Sequence, residues 1–182
     1  VVTSSLGSHG AAGTKDVCVS AEDDDHGQLL GIIRPDLPSW NQKGFLAWDP
    51  SQMLNPVGIN DPAVFAAGLA KTVEAAGDHG CGYEAALEGW YRFLIDPEPP
   101  LAVVVPLAGS QAEVQGVSDA VLAQRAAFLR SDSVLGIVML SDENDCSIVD
   151  SGYGYLVSRS APMYRSTSVC ATNPNDTCCQ SC

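Results

Sequence analysis

The residues best suited to chemistry are Asp142-Glu143-Asn144-Asp145, which come directly after the apolar run Val134–Leu140 and Ser141. Carboxylate and amide oxygens are the ligands that Mg²⁺ and Ca²⁺ prefer. These four side chains therefore point to the binding of a hard divalent cation. Neighbouring residues leave an extended chain in different directions, so all four cannot reach one ion. An acidic loop that caps a following helix is the alternative, and both interpretations stay open at this point.

The run Val134–Leu140 must position these carboxylates. A continuous apolar run does not alternate between a wet and a dry face, so it is typical of a strand buried on both sides. A helix is the competing interpretation, but Val134, Ile137 and Val138 are β-branched and the run is short. A buried strand would bring the carboxylates to the carboxyl edge of a sheet, where open α/β folds bind ligands. We therefore predict a ligand site at that edge.

Predicted strands alternate with predicted helices along the chain. Further strands are predicted at residues 29–33, 44–48 and 101–107, and helices at residues 62–77, 83–95 and 118–130. Asn60 or Asp61 is expected to cap the first of these helices, and Ser118 or Asp119 the last. This order predicts an α/β domain with a largely parallel sheet over residues 1–160, followed by an irregular, cysteine-rich tail over residues 161–182.

Seven cysteines indicate an oxidising compartment, because four of them lie within the last thirteen residues. All seven are candidates for disulfides: Cys18, Cys81, Cys146, Cys170, Cys178, Cys179 and Cys182. The count is odd, which implies a free thiol or a partner outside the chain. Two alternatives stay open, a four-thiolate zinc site in the tail and a nucleophilic thiol of Cys81 at the start of a helix.

The balance of charge excludes several classes of partner. The chain has 9 Lys and Arg against 22 Asp and Glu, a net charge of -13, and a pI near 4.3. We therefore expect no nucleic acid and no anionic membrane surface as partner. No apolar run approaches the roughly 20 residues needed to cross a bilayer. The acidic run Glu22–Asp25 and the histidines His9, His26 and His79 are predicted to lie on the solvated surface.

Hydrolase motifs are weak or missing in this sequence. Residues Ser8–Thr14 faintly echo the histidine motif of subtilisin-like proteases, but a triad also needs an activated serine and an orienting acid, and no matching nucleophile loop occurs. The chain also lacks a Gly-x-Ser-x-Gly elbow, a His-Glu-x-x-His helix and a phosphate-binding loop. We therefore predict a protein without enzymatic activity, and an unrecognised secreted hydrolase is the least favoured alternative.

Several segments together resemble von Willebrand factor type A domains, and in particular a cysteine-rich, secreted bacterial branch of that family. The segments that carry the resemblance are Phe128–Ser133, Ser141–Ser147, Gly80–Glu84 and the tail from Cys170 to Cys179. The resemblance spans most of the chain. It implies a Rossmann-like, doubly wound α/β fold with a metal-ion-dependent adhesion site at the carboxyl edge of its sheet.

In such an adhesion site, Mg²⁺ or Ca²⁺ is held by an Asp-x-Ser-x-Ser loop, by a Thr from a second loop and by an Asp at the end of a third strand. The resemblance matches the last element to Asp142. The Thr loop corresponds to Gly80–Glu84, which has no Thr, so that Glu84 is its candidate substitute; Asp145 is the third candidate ligand. The Asp-x-Ser-x-Ser element is missing, because its nearest match, Asp49–Met53, ends in Met and leads into a Pro- and Gly-bearing loop.

The sequence thus predicts a binding or adhesion domain that recognises a protein or a cell-surface ligand, with a divalent cation near Asp142. The missing first strand and helix are expected to precede Val1 or to come from another chain. The alternative function is a metal-free, disulfide-linked structural subunit of a larger extracellular assembly. The expected location is secreted, periplasmic or in the outer cell envelope.

Overall fold

The computed structural model describes residues 1–11, 18, 23–77, 80–81, 83–142, 144–158 and 169–173. The described residues contain both helices and strands, which confirms a mixed α/β composition. The elements are α1 (Leu30–Ile33), α2 (Pro62–Glu74), α3 (Ala86–Leu94), β1 (Pro100–Val104), β2 (Glu113–Val117), α4 (Asp119–Phe128) and α5 (Val169–Thr172). Short 3₁₀ turns occupy Trp40–Gln42 and Gly154–Ser158.

Strands β1 and β2 form the sheet of the described residues, and they run antiparallel with Pro100 opposite Val117. The strand predicted at residues 101–107 is confirmed in its first half. It ends before Pro106, since a proline ring offers no N–H to a ladder. The parallel strands that the sequence analysis predicted are not found among the described residues, so the observed sheet is a short hairpin.

Two predicted strands adopt other conformations. Residues 29–33 contain the helix α1, and residues 44–48 contribute only a single isolated bridge. The cause is a close approach of two glycines: a Cβ atom on Gly31 would lie 2.7 Å from the carbonyl oxygen of Gly44. Gly44 itself has a φ of 83°, which turns the chain where a strand would extend it. Both strand predictions are wrong because this tertiary contact leaves no local pattern in the sequence.

The run Val134–Leu140 is not a buried strand, and that prediction is also wrong. Its residues form no helix, strand, turn or bend, and all seven are exposed. The exposed fraction reaches 99% at Val134, 87% at Val138 and 81% at Leu140. A strand becomes buried only when neighbours cover its edges and faces, and the two strands of the described sheet pair with each other instead.

Helix α2 confirms its prediction at both ends. The Asp61 carboxylate accepts hydrogen bonds from the N–H groups of Ala63 and Val64, at 2.8 and 3.2 Å, and so caps the first turn. After the last turn, Gly77 has a φ of 72°, which is typical of the residue that follows a helix. Only Thr72 is buried among the thirteen residues of α2, so this helix lies on the surface.

Helices α3 and α4 meet in an apolar cluster formed by Leu29, Phe93 and Val121. Ser118 caps α4 as predicted, because its hydroxyl oxygen accepts from the N–H of Val121 at 3.4 Å. The Arg125 guanidinium donates to three backbone carbonyls at the end of α3, at 2.6 to 2.9 Å. A helix leaves its last carbonyls without partners, so α4 stabilises the C-terminal end of α3.

Candidate functional site

Glu84 and Asp145, two of the three predicted cation ligands, lie on segments that contact each other. The Cys146 N–H donates to the Glu84 carbonyl oxygen at 2.9 Å. On the other side of the same loop, the Ala85 N–H donates to the carbonyl oxygen of Ser4 at 3.0 Å. The loop before α3 therefore lies between the N-terminal segment and the segment around Asp145. This meeting point, hereafter the α3 junction, is the candidate site.

The Asp145 carboxylate caps helix α3. It accepts from the Leu87 N–H at 2.8 Å and from the hydroxyl and N–H of Ser147 at 2.8 and 3.2 Å. The Ser147 hydroxyl oxygen accepts from the Glu88 N–H at 3.0 Å. Helix α3 has no capping side chain of its own, since its N-cap is Ala85. Asp145 and Ser147 therefore bind two of the N–H groups that a helix start leaves free.

The same hydrogen bonds favour the ionised form of the Asp145 carboxyl. Burial raises the pKa of this carboxyl, but the bonds from Leu87 and Ser147 outweigh burial and leave the pKa below its ordinary value of 3.8. An acidic loop that caps a following helix is the alternative to a cation site in the sequence. The geometry of Asp145 agrees with that alternative, except that the capped helix comes before the loop in the chain.

Glu84 and Asp142, the other predicted ligands, have different surroundings. Glu84 is half-buried and its Oε2 accepts from the Ser4 hydroxyl at 3.2 Å, whereas Asp142 is exposed. Asp49, from the nearest match to the missing ligand loop, accepts three N–H bonds of its own loop at 2.9 to 3.1 Å. Across the part of the chain that the structure describes, no group of three or more His, Cys, Asp and Glu could hold a metal ion. Glu143 falls outside that part.

Cys18 and Cys81 form a disulfide, which confirms disulfide bonding for two of the candidates. A sulfur in a disulfide is not a thiolate, so the alternative of a nucleophilic Cys81 is wrong. Cys146 packs against this disulfide and Tyr83 in one buried cluster. The backbone of Cys170 belongs to α5, and the three cysteines that follow it lie outside the described residues.

An ionic cluster that no sequence pattern indicated lies beside the α3 junction, with two buried and three half-buried members. The carboxylate of Asp150 lies 2.6 Å from Nδ1 of His9 and 2.5 Å from Nη2 of Arg92. Arg92 also lies 3.4 Å from Oε1 of Glu88, one helical turn earlier. His9 and Arg92 are only 2% and 3% exposed. We call these four residues, together with Asp24, on whose carboxyl the charge of Arg92 acts, the buried ionic cluster.

These contacts correct the prediction of a surface location for His9. His9 and Asp150 are 141 residues apart in the chain, so no local pattern joins them. The one available signal is the pair of nearby glycines, since Gly7 and Gly10 have φ values of 80° and 88° within the turn that contains His9. The surface prediction is confirmed for His26, which is exposed. His79 lies outside the described residues.

The acidic run predicted as solvated surface is also partly wrong. Asp25 is 3% exposed, accepts from the Thr3 hydroxyl at 2.5 Å and lies 3.5 Å from the Arg34 guanidinium. The Asp24 carboxylate packs against Gly7, where a Cβ atom would lie 2.2 Å from its Oδ2. The N-terminal turn therefore buries Asp25 and half-buries Asp24, whereas composition alone assigns both to the surface; Glu22 lies outside the described residues.

Comparisons with protein-family models, with curated proteins and with solved structures find no match for this chain. In the described ranges, none of the helices combines the length and the apolar character that a bilayer span requires. The function is therefore inferred from the residues themselves.

Proposed function

We propose that this chain is a non-enzymatic binding domain that recognises a partner protein through the apolar segment Val134–Leu140. The exposure of this segment is the observation that carries the proposal. Six of its seven residues are aliphatic or Met, and all are exposed. Contiguous apolar surface on a soluble protein marks an interaction site. Its removal from water favours association by about 25 cal/mol per Å².

An extended apolar strand is the partner chemistry that fits this segment best. The segment carries no charge, and three of its residues are β-branched. None of the backbone hydrogen bonds between described residues uses its N–H or C=O groups. These N–H and C=O groups could hydrogen-bond to a partner strand. Strand addition combines such main-chain hydrogen bonds with specific contacts of alternate side chains. The net charge of -13 disfavours a strongly acidic partner.

The resemblance to von Willebrand factor type A domains supports the same proposal. In that family the segment would be an inner strand of a Rossmann-like, doubly wound, largely parallel sheet. The strand beside it would then come from a partner polypeptide. The disulfide between Cys18 and Cys81 supports a secreted, periplasmic or outer-envelope location, since disulfides persist in oxidising compartments.

A structural subunit of a larger extracellular assembly is the second candidate function. Helix α2 favours it, because the helix is mostly apolar and Thr72 is its only buried residue. Val64, Leu69 and Val73 on this helix are 55%, 46% and 40% exposed. A permanent partner that covers both α2 and Val134–Leu140 would make the chain such a subunit.

An array of immobilised ten-residue peptides with random sequences tests the proposal. The labelled wild-type chain is expected to select apolar, β-branched peptides, and Val138→Asp is expected to weaken that binding at least about tenfold, because it buries a charge in the interface. Leu107→Asp is the matched control, since Leu107 is an exposed aliphatic residue outside the segment, at 74%.

Binding of no peptide class, or equal binding by the wild type and Val138→Asp, would contradict the proposed function. The same array with Mg²⁺, with Ca²⁺ and with a chelator tests the cation at Asp142. Dependence on the ion, lost in Asp142→Ala, would place an ion in the interface. Equal binding in all three conditions would leave strand addition as the mode of recognition.

A further inference from the structure

We propose that the buried ionic cluster is an acid-stabilised latch, which holds the segment 145–152 against helix α3 and against the N-terminal turn at His9. This inference does not depend on the partner proposed above. It rests on the contacts of the cluster, on its balance of charge and on the orphaned polar atoms within it.

Asp150 connects three parts of the chain. One carboxylate oxygen lies 2.6 Å from Nδ1 of His9, and the other lies 2.5 Å from Nη2 of Arg92 in α3. The backbone on either side is bonded to further segments: the Cys146 N–H donates to the Glu84 carbonyl at 2.9 Å, and the Gly152 N–H to the Ala112 carbonyl at 3.0 Å. Release of Asp150 would therefore loosen the segment at its middle.

Carboxylates outnumber permanent cations in this cluster. Arg92 lies beside Asp150 and Glu88, and its charge also acts on Asp24. Burial raises the pKa of Asp24 and is the largest cause of that shift. Burial likewise raises the pKa of Glu88, with a further contribution from the charge of Asp150. The ionised forms of both carboxyls are thus disfavoured in the folded chain.

Other charged groups face these two carboxyls. His26 Nδ1 lies 3.2 Å from the Asp24 carboxylate and lowers its pKa, while the neighbouring Asp25 raises it. Asp25 is itself paired with Arg34 at 3.5 Å. Asp96, at the end of α3, adds to the upward shift of Glu88. None of these neighbours reverses the net direction for Asp24 or Glu88.

Two buried nitrogens of the cluster, Nε2 of His9 and Nε of Arg92, have no hydrogen-bond partner among the described residues. A buried polar atom without a partner costs free energy, so this cluster is easier to open than a fully bonded one. The raised pKa values give the direction of its response to pH. A carboxyl with a raised folded pKa adds stability below its unfolded pKa and loses it as the pH rises through the folded pKa.

Amide hydrogen exchange between about pH 4 and about pH 8, corrected for intrinsic exchange rates, tests the latch in the full chain, because both folded pKa values lie above their ordinary values of 3.8 and 4.5. The amides of Cys146 and Gly152 are the reporters, and the amides of β1 and β2 are the internal reference. We expect the protection of the reporters to fall about 3- to 10-fold from the lower to the higher pH. The protection of the reference amides in β1 and β2 should change less over the same pH range.

Glu88→Gln and Asp24→Asn reproduce the uncharged forms and are expected to remove most of that pH dependence. Glu98→Gln is the matched control, because it removes the same charge from an exposed position. If the protection of the Cys146 and Gly152 amides does not change with pH, or increases with pH, the proposed latch is contradicted. An equal effect of Glu98→Gln would also contradict it, since it would assign the response to net charge alone. A lower protection at high pH in both cluster variants than in the wild type would overturn it as well.

Discussion

Among the single residues, Asp145 belongs to a sequence pattern that is compatible with two different roles. An acidic residue after an apolar run is typical of a cation ligand, and it is equally typical of a helix cap. The sequence could not separate the two, because Leu87, which donates to Asp145, is 58 residues away in the chain and becomes its partner only in the folded protein. His9 is similar, since its partner Asp150 is distant in sequence.

Asp145→Ala should lower the free energy of unfolding by about 1 to 2 kcal/mol, because it leaves the N–H of Leu87 without its capping acceptor. The control is Asp142→Ala, which should change stability by less than about 0.5 kcal/mol at its exposed position. Urea denaturation monitored by circular dichroism measures both. Equal losses in the two variants would contradict the capping role.

At the scale of elements, the sequence predicts those whose signals are local. Asp61, Pro62 and Gly77 bound α2 in the sequence and in the structure, and Ser118 caps α4 in both. The predicted strands are mostly wrong because hydrophobicity indicates that a segment seeks apolar contacts, but not which surface supplies them. Val134–Leu140 has the composition of a buried strand and lies exposed.

Leu140→Ala should change stability by less than about 0.5 kcal/mol, because Leu140 makes few contacts in the chain by itself. Leu30→Ala, at a fully buried leucine, should cost about 2 to 5 kcal/mol. Leu30 is 0% exposed and Leu140 is 81% exposed. Thermal or urea unfolding compares them directly. A large loss for Leu140→Ala would restore the buried-strand prediction.

At the scale of the whole molecule, small apolar clusters are joined by a disulfide and by buried charges. Cys18 and Cys81 close a loop across a sequence separation of 63 residues. This link lies next to the α3 junction, where the N-terminal segment, α3 and the segment around Asp145 meet. This bond supports the expectation that the chain contains disulfides. Which cysteines pair could not be predicted from the sequence.

Removal of the disulfide in a Cys18→Ala/Cys81→Ala variant should lower the free energy of unfolding by about 4 kcal/mol, because the unfolded chain gains the entropy of an open loop of that length. Urea denaturation under non-reducing conditions measures the loss. A loss below about 1 kcal/mol would show that the bond does not constrain the unfolded chain.

Stability should also fall in acid. Burial raises the pKa of Asp49 and of Asp145, but hydrogen bonds outweigh it, from backbone N–H groups to both and from the Ser147 hydroxyl to Asp145, so both folded pKa values lie below the ordinary 3.8. Their contribution is present above that value and is lost as the pH falls through the folded pKa. Asp24 and Glu88 act in the opposite sense at higher pH, so a mildly acidic maximum of stability is expected in a pH series of urea titrations. A monotonic rise toward alkaline pH would contradict this balance.

Amide hydrogen exchange of residues 134–140, with and without a peptide selected on the array, tests whether Val134–Leu140 binds a partner by strand addition. If the segment is exposed, its amides should exchange rapidly in the chain alone. They should be clearly protected when the peptide is bound, because strand addition places these amides in hydrogen bonds. Slow exchange in the chain alone, or no gain in protection on binding, would contradict the claim.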